Sequence, residues 1–152
     1  MLEYIKVVER EYLLMDYLEY GQDTGFNKIY EINNLFGHNH KGWMKASCPH
    51  KFLDDIELWY PKFNSGGEWV NEITADRMTI YESNVNPLKN KQALSDWLST
   101  TRPVRYVFSR LNNNNSKSEN FYFFGVYTLN ISKSVELQKA VRERTDTIVK
   151  TY

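Results

Sequence analysis

The sequence predicts an α+β fold: a curved antiparallel or mixed sheet forming a partial β-barrel, with an N-terminal helix and two short helices. Three observations carry this prediction. Short runs with period-two alternation, such as residues 56–60 and 77–82, recur between turn-rich segments. Aromatic residues make up 15% of the chain, and aromatics favour strands. Helical spacing is confined to three stretches.

The first of those stretches is residues 2–20. Leu2, Ile5, Val8, Tyr12 and Met15 recur at intervals of three and four, and Gly21 supplies a stop. Residues 28–32 read as a short strand, followed by turn chemistry over residues 33–42. Residues 43–47 form a second short strand candidate. Residues 56–60 alternate with Ile56, Leu58 and Tyr60 on one face and stop at Pro61. Asn64, Ser65, Gly66 and Gly67 make a turn into residues 68–73, and residues 77–82 alternate again. Residues 90–98 read as a short helix with Ala93, Leu94, Trp97 and Leu98 on its apolar side and Asn90 as N-cap. Residues 102–111 form a strand, and residues 112–118 a polar hairpin loop. Residues 121–129 are apolar on both faces, which predicts a central strand, with Gly125 marking a bulge or a close backbone approach. Residues 133–144 suit a helix capped by Ser132 or Ser134, and residues 145–152 a terminal strand or frayed end. Neither a repeat nor a linker interrupts this order, so residues 1–152 read as one domain.

Composition narrows the functional classes. With 41% hydrophobic residues in 152, the chain has enough apolar material for a core, which excludes global disorder. Nineteen basic and nineteen acidic residues balance, so neither a strongly basic nucleic-acid binder nor an acidic DNA mimic is indicated, although a local basic patch is compatible with zero net charge. Cys48 is the single cysteine, which excludes an intramolecular disulfide scaffold. The N-terminus lacks an apolar signal core, and no run reaches the ~18 apolar residues of a membrane span. The expected location is cytoplasmic, with no membrane partner. Abundant Asn and Lys fit an AT-rich bacterial or phage genome.

Four groups of residues bear chemistry. All three histidines and the cysteine fall within residues 37–51, as His38, His40, Cys48 and His50. Imidazole and thiolate are natural zinc ligands, but one-residue gaps are shorter than the usual spacing. The expectation is therefore no cofactor, with zinc on these four residues as the alternative. The adjacent His38-Asn39-His40 does not indicate an HNH nuclease, whose residues are spread over a larger unit. The acids from Asp54 to Glu82 read as a solvated polar face rather than a metal-dependent catalytic centre. The aromatic set Trp43, Trp59, Tyr60, Trp69 and Tyr81 is compatible with a core and with base stacking. The cations Lys89, Lys91, Arg102, Arg105 and Arg110 lie on and beside the later strands, and several such groups would contact phosphates.

Residues 81–84, 90–94, 102–110 and 121–127 carry a resemblance. They contain Tyr81-Glu82-Ser83-Asn84, a short helix with Asn90 and Leu94, Pro103-Val104 leading a strand, and Phe124-Gly125-Val126-Tyr127. Across residues 56–130 this pattern resembles PUA-like domains of the SRA and modification-dependent restriction type. The resemblance implies a curved barrel that inspects a modified base, often after flipping it from the duplex. It implies Trp59, Trp69 and Tyr81 as stacking candidates and Asn71 and Glu82 as readers of the base edge. Lys89, Lys91, Arg102 and Arg105 are the phosphate-contacting candidates. The expected function is a non-catalytic nucleic-acid recognition module, with DNA favoured. The alternatives are a phage or bacterial interaction protein acting on a defence complex, which needs a protein partner, and a small metal-dependent enzyme.

Overall fold

The computed structural model describes residues 16–111 and 119–152. The elements among them are β1 (Tyr17–Glu19), α1 (Ile29–Leu35), β2 (Ser47–Pro49), β3 (Ile56–Trp59), β4 (Trp69–Ile73), β5 (Thr79–Asn84), α2 (Pro87–Leu98), β6 (Val104–Ser109), β7 (Tyr122–Leu129), α3 (Ile131–Leu137), β8 (Ala140–Asp146) and β9 (Ile148–Lys150). Seven strands form one open mixed sheet in the order β2-β3-β6-β7-β8-β5-β4, and β1 pairs with β9 in a separate ribbon. Among the described residues, the β3–β6 pair is parallel and the other pairings are antiparallel. This is an α+β architecture with an open, mixed sheet, as expected.

β7 occupies the middle of the sheet, as its two apolar faces require. Gly125 lies inside it at φ +131°, a conformation that L side chains rarely adopt. Here the register with β6 slips between Val107 and Phe108, which makes the expected bulge.

The sheet buries both faces. On one, Leu58, Tyr106, Phe108 and Phe123 pack with Ile32, Leu35 and Phe36 of and beyond α1, and with Leu18 and Val149 of the ribbon. On the other, Trp59, Ile80, Val107, Phe124 and Tyr127 pack with Phe63. We call the second the inner face.

Several local expectations are corrected. Residues 2–15 of the N-terminal helix lie outside the described residues, and residues 17–19, expected as its end, are β1. Leu18 is set opposite Val149, a partner from the far end of the chain that local periodicity cannot reveal. Residues 28–32 are not a strand. Ile29 opens α1, the Glu31 carboxylate accepts from the Lys28 N–H, and Ile32, Leu35 and Phe36 turn into the core. Of residues 43–47, only Ser47 enters a strand. α2 starts at Pro87 and is capped by Asn86, which accepts from the N–H groups of Leu88 and Lys89. Asn90, expected as the cap, accepts from the Asn84 N–H and donates to the Gln138 carbonyl.

The largest correction is residues 133–144. The α3 cap is Asn130 rather than a serine, and Gln138 adopts a left-handed conformation at φ +56°. The chain then becomes β8, which fills the slot between β7 and β5. The expected hairpin loop, residues 112–118, lies outside the described residues.

Candidate nucleic-acid interface

Strand register decides which predicted residues meet. Trp59 pairs with Val107, and Arg105, two residues earlier on β6, shares that side. Glu82 lies opposite Asn71, and Ile80 opposite Arg142. Alternation therefore puts Trp59, Asn71, Glu82, Arg105 and Arg142 together on the inner face. The contacts of Trp59, Glu82, Arg105 and Arg142 form one network. Glu82 Oε1 accepts from Arg105 Nη1 at 3.2 Å and from Arg142 Nε and Nη2 at 3.2 and 2.9 Å. The Arg105 guanidinium lies 4.4 Å from the Trp59 ring centroid, and that of Arg142 lies 5.7 Å away.

This network has two cations and one anion, and it is nearly dry. Arg142 is 1% exposed, and the Glu82 and Arg105 side chains are 13% and 15% exposed. Burial, then the like charge of Arg105, lower the Arg142 pKa to about 10, with Glu82 opposing the shift. Arg142 stays protonated at neutral pH. Three buried polar atoms of this face have no hydrogen-bond partner among the described residues: the acceptor Asn71 Oδ1 and the donors Arg105 Nε and Arg142 Nη1. Buried polar groups are normally paired, so three on one face is an uncommon concentration.

A cleft of about 240 Å³ adjoins this face, lined by Phe63, Asn64, Ile73, Thr74, Ser109 and Phe124 among others. Ile73 is two residues along β4 from Asn71, and the Asn71 carbonyl accepts from the Asn64 N–H at 3.0 Å. A second cleft of about 340 Å³ shares Arg77, Leu111 and Phe124 with the first and adds Tyr20, Asp23 and Tyr122. A third, of about 460 Å³, includes Lys28, Lys45, Lys62 and Arg110 beside Trp43 and Phe121. Its lining contains four cations and no carboxylate, which gives it the chemistry of an anion-binding surface. All three clefts surround the same ends of β6 and β7.

The remaining predicted residues lie elsewhere. Trp69, half-exposed, packs edge-on against Trp97 of α2 at 6.2 Å. Tyr81 points away from the inner face, with Lys139 Nζ 5.4 Å from its ring centroid. The three stacking candidates therefore do not line one cavity. Trp59 itself is 5% exposed and carries Arg105 on its ring. Nor do the four cations form one stripe. Lys89 pairs with Glu68 at 2.7 Å, Lys91 lies exposed on α2, and Arg102 Nη1 donates to the carbonyls of Leu53 and Ile56.

Sequence reasoning missed Arg142, because its segment read as a helix. The alternation Arg142, Arg144, Asp146 against Val141, Glu143, Thr145 was the available signal. Lys28, Lys45 and Lys62 were missed because they come from three separate loops.

The histidine segment is partly gathered. His38, His40 and Cys48 each offer one donor atom, all within 4.8 Å of one another. His50 stays apart: its Nδ1 accepts from the N–H groups of Phe52 and Leu53. Burial lowers its pKa to about 4, so it is neutral.

An open mixed sheet of this strand order, flanked by three short helices, defines a PUA-like class of domain. Residues 11–151 match the SET and RING associated domain, and the chain belongs to this SRA family of DNA-binding domains that recognise modified bases. Among solved structures, the chain is similar to "The 5-Hydroxymethylcytosine-Specific Restriction Enzyme AbaSI", with a TM-score of 0.80 and 23% identity. The alignment covers 94% of this chain and 45% of that one, so the chain spans about half the length of that enzyme. At this identity the likeness is one of fold. No curated protein matches the chain by sequence. Among the described residues, no helix is long and apolar enough to cross a membrane.

Proposed function

We propose that this domain reads a modified base in DNA without itself catalysing a reaction, and that it acts in the cytoplasm of a bacterium or on behalf of a phage. The observation that carries the reading is a set of three buried atoms of this face with no hydrogen-bond partner among the described residues, Asn71 Oδ1, Arg105 Nε and Arg142 Nη1, the two arginines lying against Trp59. A base taken out of the duplex needs its edge hydrogen bonds replaced. This set offers one acceptor and two donors.

A cytosine fits that inventory. Its exocyclic amine donates, and its ring nitrogen and carbonyl oxygen accept. A 5-hydroxymethyl group, the modification for which the similar restriction enzyme is specific, adds a hydroxyl that both donates and accepts. In this reading the base enters by the cleft that Phe63 and Phe124 help to line, and its edge is read by Asn71 and the two arginines. Glu82 holds the arginines in place. The cleft with Lys28, Lys45, Lys62 and Arg110 takes the phosphate backbone. This assignment replaces Lys89 and Arg102 as phosphate contacts, because both cations already have partners.

Neither alternative function gains support from the inner face or from the family. The test is fluorescence anisotropy at low salt on duplexes that differ at one cytosine: unmodified, 5-methyl or 5-hydroxymethyl. The expected result is binding at least about tenfold tighter to one modified duplex, a difference of ~1.4 kcal/mol. Equal affinity for all three, or no binding to any, overturns the reading.

A further inference from the structure

We propose that His38, His40 and Cys48 bind one zinc ion, which staples the loop between α1 and β2. The three donor atoms come from residues separated by one and seven positions, yet all lie within 4.8 Å of one another. The best-defined pair is Cys48 Sγ and His38 Nε2, 3.5 Å apart. Tetrahedral zinc, with Zn–S of about 2.3 Å and Zn–N of about 2.0 Å, holds its sulfur and nitrogen ligands about 3.5 Å apart. The separation between these two atoms is already that of a ligand pair.

The His38 and His40 rings stack at 4.6 Å and must turn out of parallel for both in-plane lone pairs to reach one ion, and neighbouring groups suit that ligand role. The Asn33 side chain contacts His40 Nδ1 at 3.2 Å and also accepts from the buried Tyr60 hydroxyl. Turned by 180°, the same amide accepts from Nδ1–H and donates to Tyr60, which leaves His40 Nε2 free for a metal. Ligand histidines are oriented in this way by a hydrogen bond at the other ring nitrogen. His38 Nε2 contacts the Pro49 carbonyl at 2.8 Å. Binding exchanges that bond for the metal, with the imidazole proton moved to Nδ1. Cys48 binds as thiolate and releases one proton to solvent. Two histidines and one thiolate leave a fourth position for water.

Residues 37–46 contain no regular element, and such a loop gains order from a cross-link. The loop carries Trp43, Met44 and Lys45, which line the basic cleft, and His40 stacks on Trp43 at 4.5 Å. The ion would therefore fix one wall of that cleft. Metal binding itself does not depend on the DNA reading.

The purified chain is loaded with zinc sulfate, desalted and analysed for metal. A parallel sample takes cobalt(II), and thiolate-to-cobalt charge transfer is read in the near ultraviolet. One ion per chain and a charge-transfer band are expected. Cys48→Ser should remove the band, and His38→Gln and His40→Gln should each weaken zinc affinity at least about tenfold. Cys48 is buried, so its replacement also perturbs the core; the histidines are only half-buried, and their variants keep the test decisive. A folded chain that retains no zinc and shows no band overturns the proposal. So does zinc affinity unchanged in both histidine variants.

Discussion

Arg105 and Glu82 form an ion pair of 3.2 Å, although β7 and β8 lie between their strands. Three strand spacings in a flat sheet amount to about 14 Å. The two side chains meet because the sheet curves and both point to its inner side. Arg142, on β8, joins the same carboxylate from next door. The curvature thus concentrates two guanidinium groups, one carboxylate and the Trp59 ring at one place.

Glu82→Gln should destabilise the fold by about 3 kcal/mol, because it leaves two largely buried cations without their counter-charge. Urea unfolding with an unchanged m-value checks this. A loss below about 1 kcal/mol would mean that the pair is compensated elsewhere.

Asn71→Ala should separate reading from stability. Its side-chain oxygen has no partner among the described residues, so its removal should change stability by no more than ~0.5 kcal/mol. Discrimination between modified and unmodified duplexes should fall about tenfold, the worth of one net hydrogen bond. Anisotropy and thermal melting on the same preparation distinguish the two effects.

Lys45→Gln and Lys62→Gln should each lower the salt dependence of DNA binding, reducing the slope of log K against log salt by about 0.9. Lys89→Gln should leave the slope unchanged, because Lys89 is paired with Glu68. A salt titration of all three variants separates these outcomes.

Gly125→Ala should cost about 1–3 kcal/mol. Its φ of +131° disfavours a side chain, and an added Cβ would stand 3.1 Å from both the Asp146 carbonyl and Arg144 Nε. Denaturation measures the loss. A neutral substitution would show that the bulge relaxes freely.

Acid stability should depend in part on Glu143. Hydrogen bonds from Asn130, then Lys133, hold its carboxyl below the ordinary range. A lowered folded-state pKa stabilises above the unfolded value of about 4.3 and loses that contribution as pH falls through the lowered value. Glu143→Gln should therefore lower the neutral plateau slightly and flatten the acid limb, with the variant and the parent converging at low pH. Tm measured against pH tests the slope.

Strands whose patterns are local could be read from the chain alone. Residues 56–60, 68–73, 77–82 and 102–111 are short runs of strand-forming residues bounded by turns, and they recur as β3, β4, β5 and β6 within a few residues. The central place of β7 and the bulge at Gly125 were equally legible, since an apolar run on both faces and a lone glycine are properties of the segment. The family resemblance was legible for the same reason, through the short helix and the two strands after it.

The course of β8 emerges only in the assembled fold, because its slot between β7 and β5 is created by distant segments. Helical spacing in residues 133–144 competed with that slot, and the left-handed Gln138 ended the helix in favour of the strand. Arg142 belongs to the candidate site for this reason alone. Alternation showed that Glu82 and Arg105 point away from their neighbours, but their meeting across two strands is a product of curvature. Curvature sums small twists over the whole sheet, and no single segment records it.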